Sequence, residues 1–551
     1  MIKPEDLQRL PKNFMSTLRD LEDFIIKDVC RRVAKQGEIT DTALHQIKRA
    51  AVNGADIKAL ERYIHKVTGA AIRDIDRQIR EMIAKSVDID NAVYQRAGYD
   101  PIDISRSPEL SETVEAGIKQ TKGELVNLTR SMGFRDMGGR FIPCKIIYQK
   151  VLDHAALLTV SGGIDYITAT RNATKVLTER GLETISYASG HINHADVAVR
   201  RAIVTGVNQM VAQMEEMIGK RLGAEFVEVT AHSGARPDHQ IWQGRVYHFG
   251  GAKDGYEDFE TATGYGSGEG LCGWNCRHSF HPFFPGISER LYTDEELANI
   301  DPPDITYNGR KYNHYQATQR QRQMESAIRK TKREILAAEA IGDSELALTK
   351  SIRLRSQKSA YRDFSKAARL KLQMERTQNV GFGRSQARKV TARSETHHKR
   401  WLKSIGAEDT KLYTLDKYYE GKYNKFPAYK VLMDYKDLVK HGEISPLLGL
   451  RTYSNYAKVI ENNLVGIKTP LGFEVEGFTP HFVGRMIGRA GLSKKYNRNG
   501  VSVEDLLACL KSGRIGKTQI SSKGEKSVLL ISDKCFISIN PDKKILVQCN
   551  H

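Results

Sequence analysis

The sequence has few cysteines, and it has no long apolar run. Its 551 residues include seven cysteines, an odd number scattered along the chain, so we expect a reducing compartment rather than a disulfide framework. No stretch approaches the roughly 18 apolar residues of a membrane-spanning helix. The opening residues, MIKPEDLQRLPKNF, lack the apolar segment of a signal peptide. These deficits argue against a secreted, disulfide-stapled protein and against a membrane span.

Acidic residues are also in deficit. The chain has 66 Asp and Glu against 85 Lys and Arg, which gives a formal net charge of +19. Such an excess favours contact with polyanions such as nucleic acid, without choosing between DNA and RNA, and a basic protein without such a partner is the alternative. With 40% hydrophobic residues, the length predicts two to four domains with ordinary cores.

Helical patterns dominate residues 1–310. A strong amphipathic helix is predicted to end at Gly223, and the alternating, β-branched segment AEFVEVTAH that follows predicts a strand entering a site. Residues 231–287 differ from their surroundings, because they are rich in glycine, aromatics, histidine and cysteine and have little periodicity. Segments of this kind usually carry function or a structural ligand set.

A highly charged region follows at residues 311–466. Two long basic helices, joined by a turn at 341–343 with Ser344 as the second helix's cap, predict a helical hairpin that lies against a partner or in solvent. DNA is one such partner, and a simply solvated face is the other interpretation. Residues 440–470 look irregular and predict a linker into the last unit.

The stretch GLCGWNCRHSFHP, with two histidines just upstream, raises the question of a metal site. Thiolates and imidazoles at short spacing are suitable zinc ligands, and the candidates are His232, His239, Cys272, Cys276, His278 and His281. One four-ligand set would be His232, His239, Cys276 and His278. The spacing is not that of a standard zinc knuckle, so the preferred interpretation is a metal-free loop packed around Trp242 and Trp274, with structural zinc as the alternative.

The order of residues in this region resembles the phage minor capsid protein 2 family, which is related to the Mu F type of head-morphogenesis proteins. The matching positions include Gly234, Ala235, Gly244, the TGYG at 263–266 and the signature residues His232, Arg236, His239, Trp242, Asn275, Cys276, Arg277 and His278. The resemblance implies a virion protein present in few copies per head, in contact with portal and capsid proteins.

The last residues, 467–551, change character. Thr479 and Pro480 begin a predicted helix that places His481, Arg485 and Arg489 one turn apart. A second helix capped at Ser502 and four short strands follow, which predicts a small α+β domain with an antiparallel meander. A histidine can transfer protons near neutral pH, and an arginine can bind a phosphate. Further candidate hydrogen-bond donors to a substrate are Lys517, Ser527, Ser538 and Asn540.

The layout, with HFVGRMIGR, SSKGEKS and ISINPDKKI, resembles phage-borne nucleases of the barnase–EndoU–colicin–RelE fold. That resemblance implies metal-independent RNA cleavage, RNA as substrate and an immunity protein as a further partner. The alternative is that His481 and Arg485 decorate a surface helix of an inactive binding module.

Taken together, these patterns predict a multidomain protein, mainly α with α+β parts. The expected domains are a minor capsid region at 1–310, a basic helical hairpin and linker at 311–466, and a ribonuclease-like domain at 467–551. The expected locations are the phage head, and the host cytoplasm during assembly or after delivery.

Overall fold

The computed structural model describes residues 2–37, 54–136, 138–144, 146, 166–185, 190–488, 499–520 and 524–551. Within them the chain forms two compact units, which comprise Met1–Leu354 with Phe364–Gln386, and Arg355–Asp363 with Ala387–His551. The protein is mainly α with α+β parts, so the predicted fold class is confirmed. The three-domain division predicted from the sequence, at 1–310, 311–466 and 467–551, stays a prediction.

Long helices form the first unit. In chain order they and their short neighbours are α1 (Pro4–Arg9), α2 (Lys12–Gly37), α3 (Gly54–Arg96), α4 (Pro108–Arg130), α5 (Tyr166–Arg180), α6 (Ala195–Leu222), α7 (Pro237–Gln240), α8 (Phe259–Thr263), α9 (Asp294–Ala298), α10 (His314–Ala340) and α11 (Ser344–Ala367). The strands are β1 (Met132–Arg135), β2 (Phe141–Pro143), β3 (Glu183–Ile185), β4 (Ile192–His194), β5 (Phe226–Val229), β6 (Val246–His248), β7 (Phe280–Phe283), β8 (Ile305–Tyr307) and β9 (Arg310–Tyr312).

These strands form three small antiparallel sheets, in the orders β2-β1-β3-β4, β6-β5-β7 and β8-β9. In the second of them, Val227 of the central strand β5 pairs with Tyr247 on one side and Pro282 on the other. The strand predicted from AEFVEVTAH is confirmed as β5, which lies at the centre of the sheet that carries the His/Cys-rich segment.

Helix α6 is the central element of the first unit. It is buried around much of its circumference and packs closely on α4, where a Cβ at Gly117 would lie 2.5 Å from the Met210 side chain and one at Gly206 would lie 2.5 Å from Thr121. Glycine at both positions lets the two helix backbones approach. The helix ends where predicted, because Gly223 adopts a left-handed conformation with φ 62°.

The predicted hairpin is present as α10 and α11, but its cap and its surroundings differ from the expectation. Asp343, not Ser344, is the N-cap, since its carboxylate accepts from the Leu346 amide at 3.0 Å. Helix α10 does not simply face a partner or solvent. Its Arg333 is buried and pairs with Glu22 at 2.6 Å and Asp23 at 2.8 Å on α2.

The second unit begins with helices and ends with a sheet. Its helices are α12 (Arg384–Ser404), α13 (Leu415–Tyr423), α14 (Pro427–Lys440), α15 (Leu450–Asn463), α16 (Pro480–Ile487) and α17 (Val503–Ser512), and residues 355–363 of α11 also belong to it. Its strands are β10 (Gly477–Phe478), β11 (Arg514–Ile520), β12 (Lys526–Ile531), β13 (Phe536–Asn540) and β14 (Ile545–Asn550), in the order β10-β14-β13-β12-β11.

The predicted two helices and four-stranded meander are confirmed as α16, α17 and β11 to β14. Thr479 caps α16 through the Phe482 amide, and Ser502 caps α17 through the Asp505 amide. A fifth strand, β10, pairs in parallel with β14. Two residues are too short a run for periodicity to predict a strand.

The linker predicted across 440–470 is wrong. Residues 450–463 form α15, and its Tyr453 and Ile460 are buried in the same hydrophobic core as Phe482 of α16 and Leu506 of α17. Leu450, Tyr453, Ala457 and Ile460 recur at helical spacing, a signal that the polar residues between them obscured. The core of the second unit therefore extends well upstream of residue 467.

Across the described ranges, none of the helices combines the length and the apolar character that a bilayer crossing requires. This finding agrees with the absence of long apolar runs in the sequence.

Replacing Ile460 by alanine tests whether α15 is a structural part of the second unit. Ile460 is fully buried, so Ile460→Ala should cost about 2–4 kcal/mol of unfolding free energy, whereas a linker residue should cost almost nothing. The control Lys458→Ala changes an exposed residue of the same helix. Native-state hydrogen exchange at the amides of β12 and β13 reports the stability of this unit; equal protection in the two variants would contradict the assignment.

Candidate functional site

The His/Cys-rich segment folds around the sheet β6-β5-β7. His232 and Arg236 follow β5, His239 lies on the short helix α7, and Cys276 and His278 directly precede β7. Because β5 pairs with β7, the loop after one strand lies beside the loop before the other. Residues some forty positions apart in the sequence thereby meet in space.

Three buried side chains converge at one point. His239 Nδ1 lies 3.4 Å from His278 Nδ1, and the Cys276 Sγ lies 3.7 Å from the first nitrogen and 3.6 Å from the second. Within the described residues, these three form the one group of histidine, cysteine and acidic side chains close enough to hold a metal ion. Trp242 packs against both rings, with centroid distances of 4.5 Å to His239 and 4.9 Å to His278.

A buried amide holds the loop that carries two of these side chains. Asn208 of α6 is fully buried, and its Nδ2 donates to the carbonyl oxygen of Cys276 at 3.2 Å and to that of His278 at 2.8 Å. Gln243 provides a second support, because its Oε1 accepts from the His232 backbone amide at 3.1 Å and contacts His278 Nε2 at 3.0 Å. Helix α6 and the loop that follows α7 thus orient the cluster from two sides.

Burial dominates the electrostatics of the cluster. Desolvation lowers the pKa of His239 and of His278, the latter well below its usual value, so both imidazoles are neutral near pH 7. Burial likewise raises the pKa of the Cys276 thiol to about 11, although backbone hydrogen bonds at His278 and Cys272 act in the opposite direction. Neutral imidazoles are the form that ligates metals.

The remaining metal candidates lie around the cluster rather than in it. The Cys272 thiol donates to the His278 carbonyl oxygen at 3.5 Å, and His281 Nε2 lies 3.6 Å from a Glu228 carboxylate oxygen. His232 stacks on His278 with a centroid distance of 4.3 Å, and burial lowers its pKa to about 4.

Of the two tryptophans expected to anchor the loop, one does so. Trp242 is buried among the ligand candidates, whereas Trp274 is 61% exposed. The exposed ring covers Gly268, where a Cβ would lie 2.7 Å from it.

The other signature residues tie the segment to the rest of the first unit. Arg277 donates to Gln8 Oε1 at 2.7 Å and contacts His232 Nδ1 at 3.2 Å. The Asn275 amide donates to Thr205 Oγ1 of α6 at 2.8 Å, and its side chain accepts from Arg200. Arg277 and Asn275, to which the sequence analysis assigned no chemical role, therefore have a structural role.

A second candidate site lies in the C-terminal unit. His481 Nδ1 is 2.5 Å from Glu443 Oε2, and Arg485 Nε donates to His481 Nε2 at 3.2 Å. The His481 side chain is 30% exposed and that of Glu443 is 19% exposed. The helical spacing therefore brings His481 and Arg485 together as predicted, and Glu443, from the segment taken for a linker, completes a carboxylate–imidazole–guanidinium chain.

The strand candidates do not join this chain. Ile537 and Ile539 are buried in the core that packs α16, so Ser538 between them and Asn540 after them point to the opposite face of the sheet. Ser527 faces the same way, because its neighbour Val528 pairs with Ile539. Lys517 lies on β11, the edge strand farthest from β14 and α16. The third residue of the predicted helix face, Arg489, lies outside the described residues.

Sequence reasoning missed Asn208, Gln243 and Glu443. Asn208 is a polar residue at helical spacing from the apolar Val204, Val207 and Val211 of α6, which is a usable signal for a buried hydrogen-bonding role. Gln243 lies within the family motif but is not a typical ligand. Glu443 carried no signal, since its role depends on the way α14 returns toward α16.

Removing the Asn208 amide tests its role as the loop's anchor. Asn208→Ala leaves two buried carbonyl oxygens without this donor, so it should cost about 2–4 kcal/mol of unfolding free energy. Gln213→Ala, an exposed amide on the same helix, should change it by less than about 0.5 kcal/mol. Hydrogen exchange at the amides of β5 and β7 measures the difference; full protection in Asn208→Ala would show that the loop is held by other contacts.

Comparison with known proteins supports one family. The model of phage minor capsid protein 2 matches residues 2–366, a range that includes the whole His/Cys-rich segment and most of the basic hairpin. No curated protein matches the chain significantly, and no solved structure does. The match covers well over half of the 551 residues. The chain therefore belongs to the phage minor capsid protein 2 family.

Proposed function

We propose that this minor capsid protein, a virion component, lies near the portal of a tailed phage or prophage head and carries a metal-independent ribonuclease-like effector in its C-terminal unit. The family match supports the virion assignment and ends at residue 366, so it leaves the C-terminal unit to be argued from its own residues. The net charge of +19 supports proximity to the packaged genome.

The chain of Glu443, His481 and Arg485 is the observation that carries the effector proposal. A carboxylate that accepts the Nδ1 proton of a histidine leaves Nε2 unprotonated, and in the structure that lone pair accepts from Arg485 Nε. In the proposal, a phosphate that binds the Arg485 guanidinium draws this N–H away, and Nε2 is then free to accept a proton. Arg485 lies at that Nε2, where a cation can bind a phosphate. The oriented imidazole is suited to act as the general base, and the adjacent guanidinium as the phosphate-binding cation, in attack by a 2′-hydroxyl on phosphate.

In the proposed reaction, His481 Nε2 removes the proton of an RNA 2′-hydroxyl, whose oxygen attacks the adjacent phosphorus. The P–O5′ bond breaks, and the leaving 5′-oxygen takes a proton from solvent water. Arg485 stabilises the charge that develops on the phosphate oxygens. Ser527, Ser538 and Asn540 point to the other sheet face, away from this reaction. Ser538 and Asn540 are buried there, so of the three only the half-buried Ser527 remains a candidate for contacting RNA elsewhere. Lys517 stays a candidate phosphate contact on the sheet edge.

The alternative is a purely structural, portal-associated protein whose C-terminal unit is an inactive binding module. The partners proposed beyond the capsid are DNA in the head, RNA as substrate, and an immunity protein in cells that carry the gene. The host cytoplasm is the proposed location during assembly and after delivery.

Purified heads test the virion location. The protein should sediment with DNA-filled heads and remain with the portal when heads are disrupted, because the proposal places it at the portal. Mass spectrometry of fractionated heads measures this association, with the major capsid protein as internal reference. Recovery of the protein from the soluble lysate alone, while heads assemble normally, would refute the location.

RNA cleavage by the full chain tests the effector. His481→Ala should lower the rate roughly 10²–10⁴-fold, the usual contribution of general acid–base catalysis, and Glu443→Gln should lower it by a smaller factor because the ring loses its carboxylate partner. DNA should not be cut, since it lacks the nucleophile, and chelator should leave the rate unchanged.

The matched control is His441→Ala, which changes a histidine two residues before Glu443. The ring of His441 is exposed and forms a hydrogen bond with the Asp437 carbonyl oxygen of its own helix end. It should retain full activity. Folded protein that cleaves no RNA and is harmless when expressed in bacteria would favour the binding-module alternative.

A further inference from the structure

The spacing of the three converging donor atoms matches a tetrahedral zinc site. With Zn–N bonds of about 2.0–2.1 Å and a Zn–S bond of about 2.3 Å, two nitrogens lie about 3.3–3.4 Å apart and a nitrogen and a sulfur about 3.5–3.6 Å. The observed separations are 3.4 Å between the two Nδ1 atoms and 3.6 and 3.7 Å from them to the sulfur. One face of a zinc tetrahedron has these dimensions.

The hydrogen-bond network determines which nitrogen of His278 is available. A backbone amide can only donate, so the Gln243 atom that accepts from the His232 amide is the carbonyl oxygen Oε1. The same oxygen lies 3.0 Å from His278 Nε2, which must therefore carry the proton. In neutral His278, Nδ1 is then a bare lone pair, and it points at the cluster.

His239 has a corresponding outer partner. Its Nε2 lies 2.9 Å from the Glu269 carbonyl oxygen, a hydrogen bond that leaves Nδ1 unprotonated. Arg236 Nη2 contacts both that carbonyl oxygen and His239 Nε2. A second ring N–H donated to a carbonyl or amide oxygen is the usual outer support of a metal-bound histidine.

Hydrogen bonds alone account poorly for the centre of the cluster. If Arg236 instead donated to His239 Nε2, the Nδ1 proton would span 3.4 Å to His278, beyond the usual range for nitrogen donors. The Cys276 thiol would reach the His278 carbonyl oxygen only at 3.8 Å. Without a cation, the single proton of the Cys276 thiol can satisfy only one of the two Nδ1 lone pairs, at 3.6 or 3.7 Å, and the other stays buried without a donor, which is costly.

We propose that His239 Nδ1, Cys276 Sγ and His278 Nδ1 bind one zinc ion. Two imidazoles and a thiolate are borderline-soft donors that suit zinc better than magnesium or calcium. The ion links α7 to the strand-entry loop before β7, in a segment with little secondary structure to hold it. Cys272 is not a ligand in this assignment, because its thiol bonds the His278 carbonyl oxygen.

Metal analysis of the full chain tests the proposal. Protein expressed in zinc-supplemented medium and dialysed should contain about one equivalent of zinc. Replacement by cobalt should produce a thiolate-to-cobalt charge-transfer band, which reports the sulfur ligand without any substitution. Chelation should lower the temperature at which the first unit unfolds, and added zinc should restore it.

Two cysteine variants separate ligand from neighbour. Cys276→Ser should lose most of the zinc and the charge-transfer band, while Cys272→Ser, whose hydroxyl can keep the bond to the His278 carbonyl oxygen, should keep both. Circular dichroism confirms that each variant is folded, and His239→Asn provides an independent ligand deletion if Cys276→Ser does not fold. Equal loss in both cysteine variants would overturn the three-ligand assignment. If the folded wild-type protein contains well under one equivalent of zinc and shows no charge-transfer band with cobalt, the proposed zinc site is wrong.

Discussion

The amide of Asn208 is the contact on which the central segment depends. It is buried in the middle of α6 and donates to the carbonyl oxygens of Cys276 and His278, in a loop with little regular structure of its own. Since buried carbonyl oxygens without partners are costly, this side chain on α6 constrains the path of that loop, together with the contacts of Gln243 and Thr205. The path in turn places the Cys276 sulfur and the His278 ring against His239 on α7. The His/Cys-rich segment is thus a set of side chains positioned by the helical core beneath it.

The basic excess of the chain serves the fold as well as any partner. Arg333 of α10 is buried between Glu22 and Asp23, and Arg329 and Lys332 of the same helix are buried with backbone carbonyl partners. Buried cations persist only where carboxylates or carbonyl oxygens compensate for lost hydration. Some of the positive charges that the sequence composition suggests for a nucleic-acid surface are therefore buried inside the first unit. The exposed remainder is what is available to a polyanion.

The C-terminal unit shows how strongly a site depends on the chain that precedes it. The small α+β part shares one hydrophobic core with α12, α14 and α15, so its helices are supported by residues well upstream of 467. The same arrangement brings Glu443 to His481. A histidine and an arginine one turn apart are common on helices. The half-buried carboxylate of Glu443, which orients the imidazole, is what makes this pair chemically distinctive.

The sequence by itself determined the family, the mainly α fold class, the C-terminal meander and the pairing of His481 with Arg485, because motif order, strand alternation and helical spacing are local properties. Tertiary structure decided the rest. The spacing of Cys276 and His278 argued against a metal knuckle, yet a strand pairing brings His239, thirty-seven residues upstream of Cys276, to 3.7 Å from its sulfur. Likewise, β-strand alternation and the position of the core placed Ser538 and Asn540 on the face away from His481. Donor geometry and sheet faces follow from which segments pack together, and that information is absent from any local pattern.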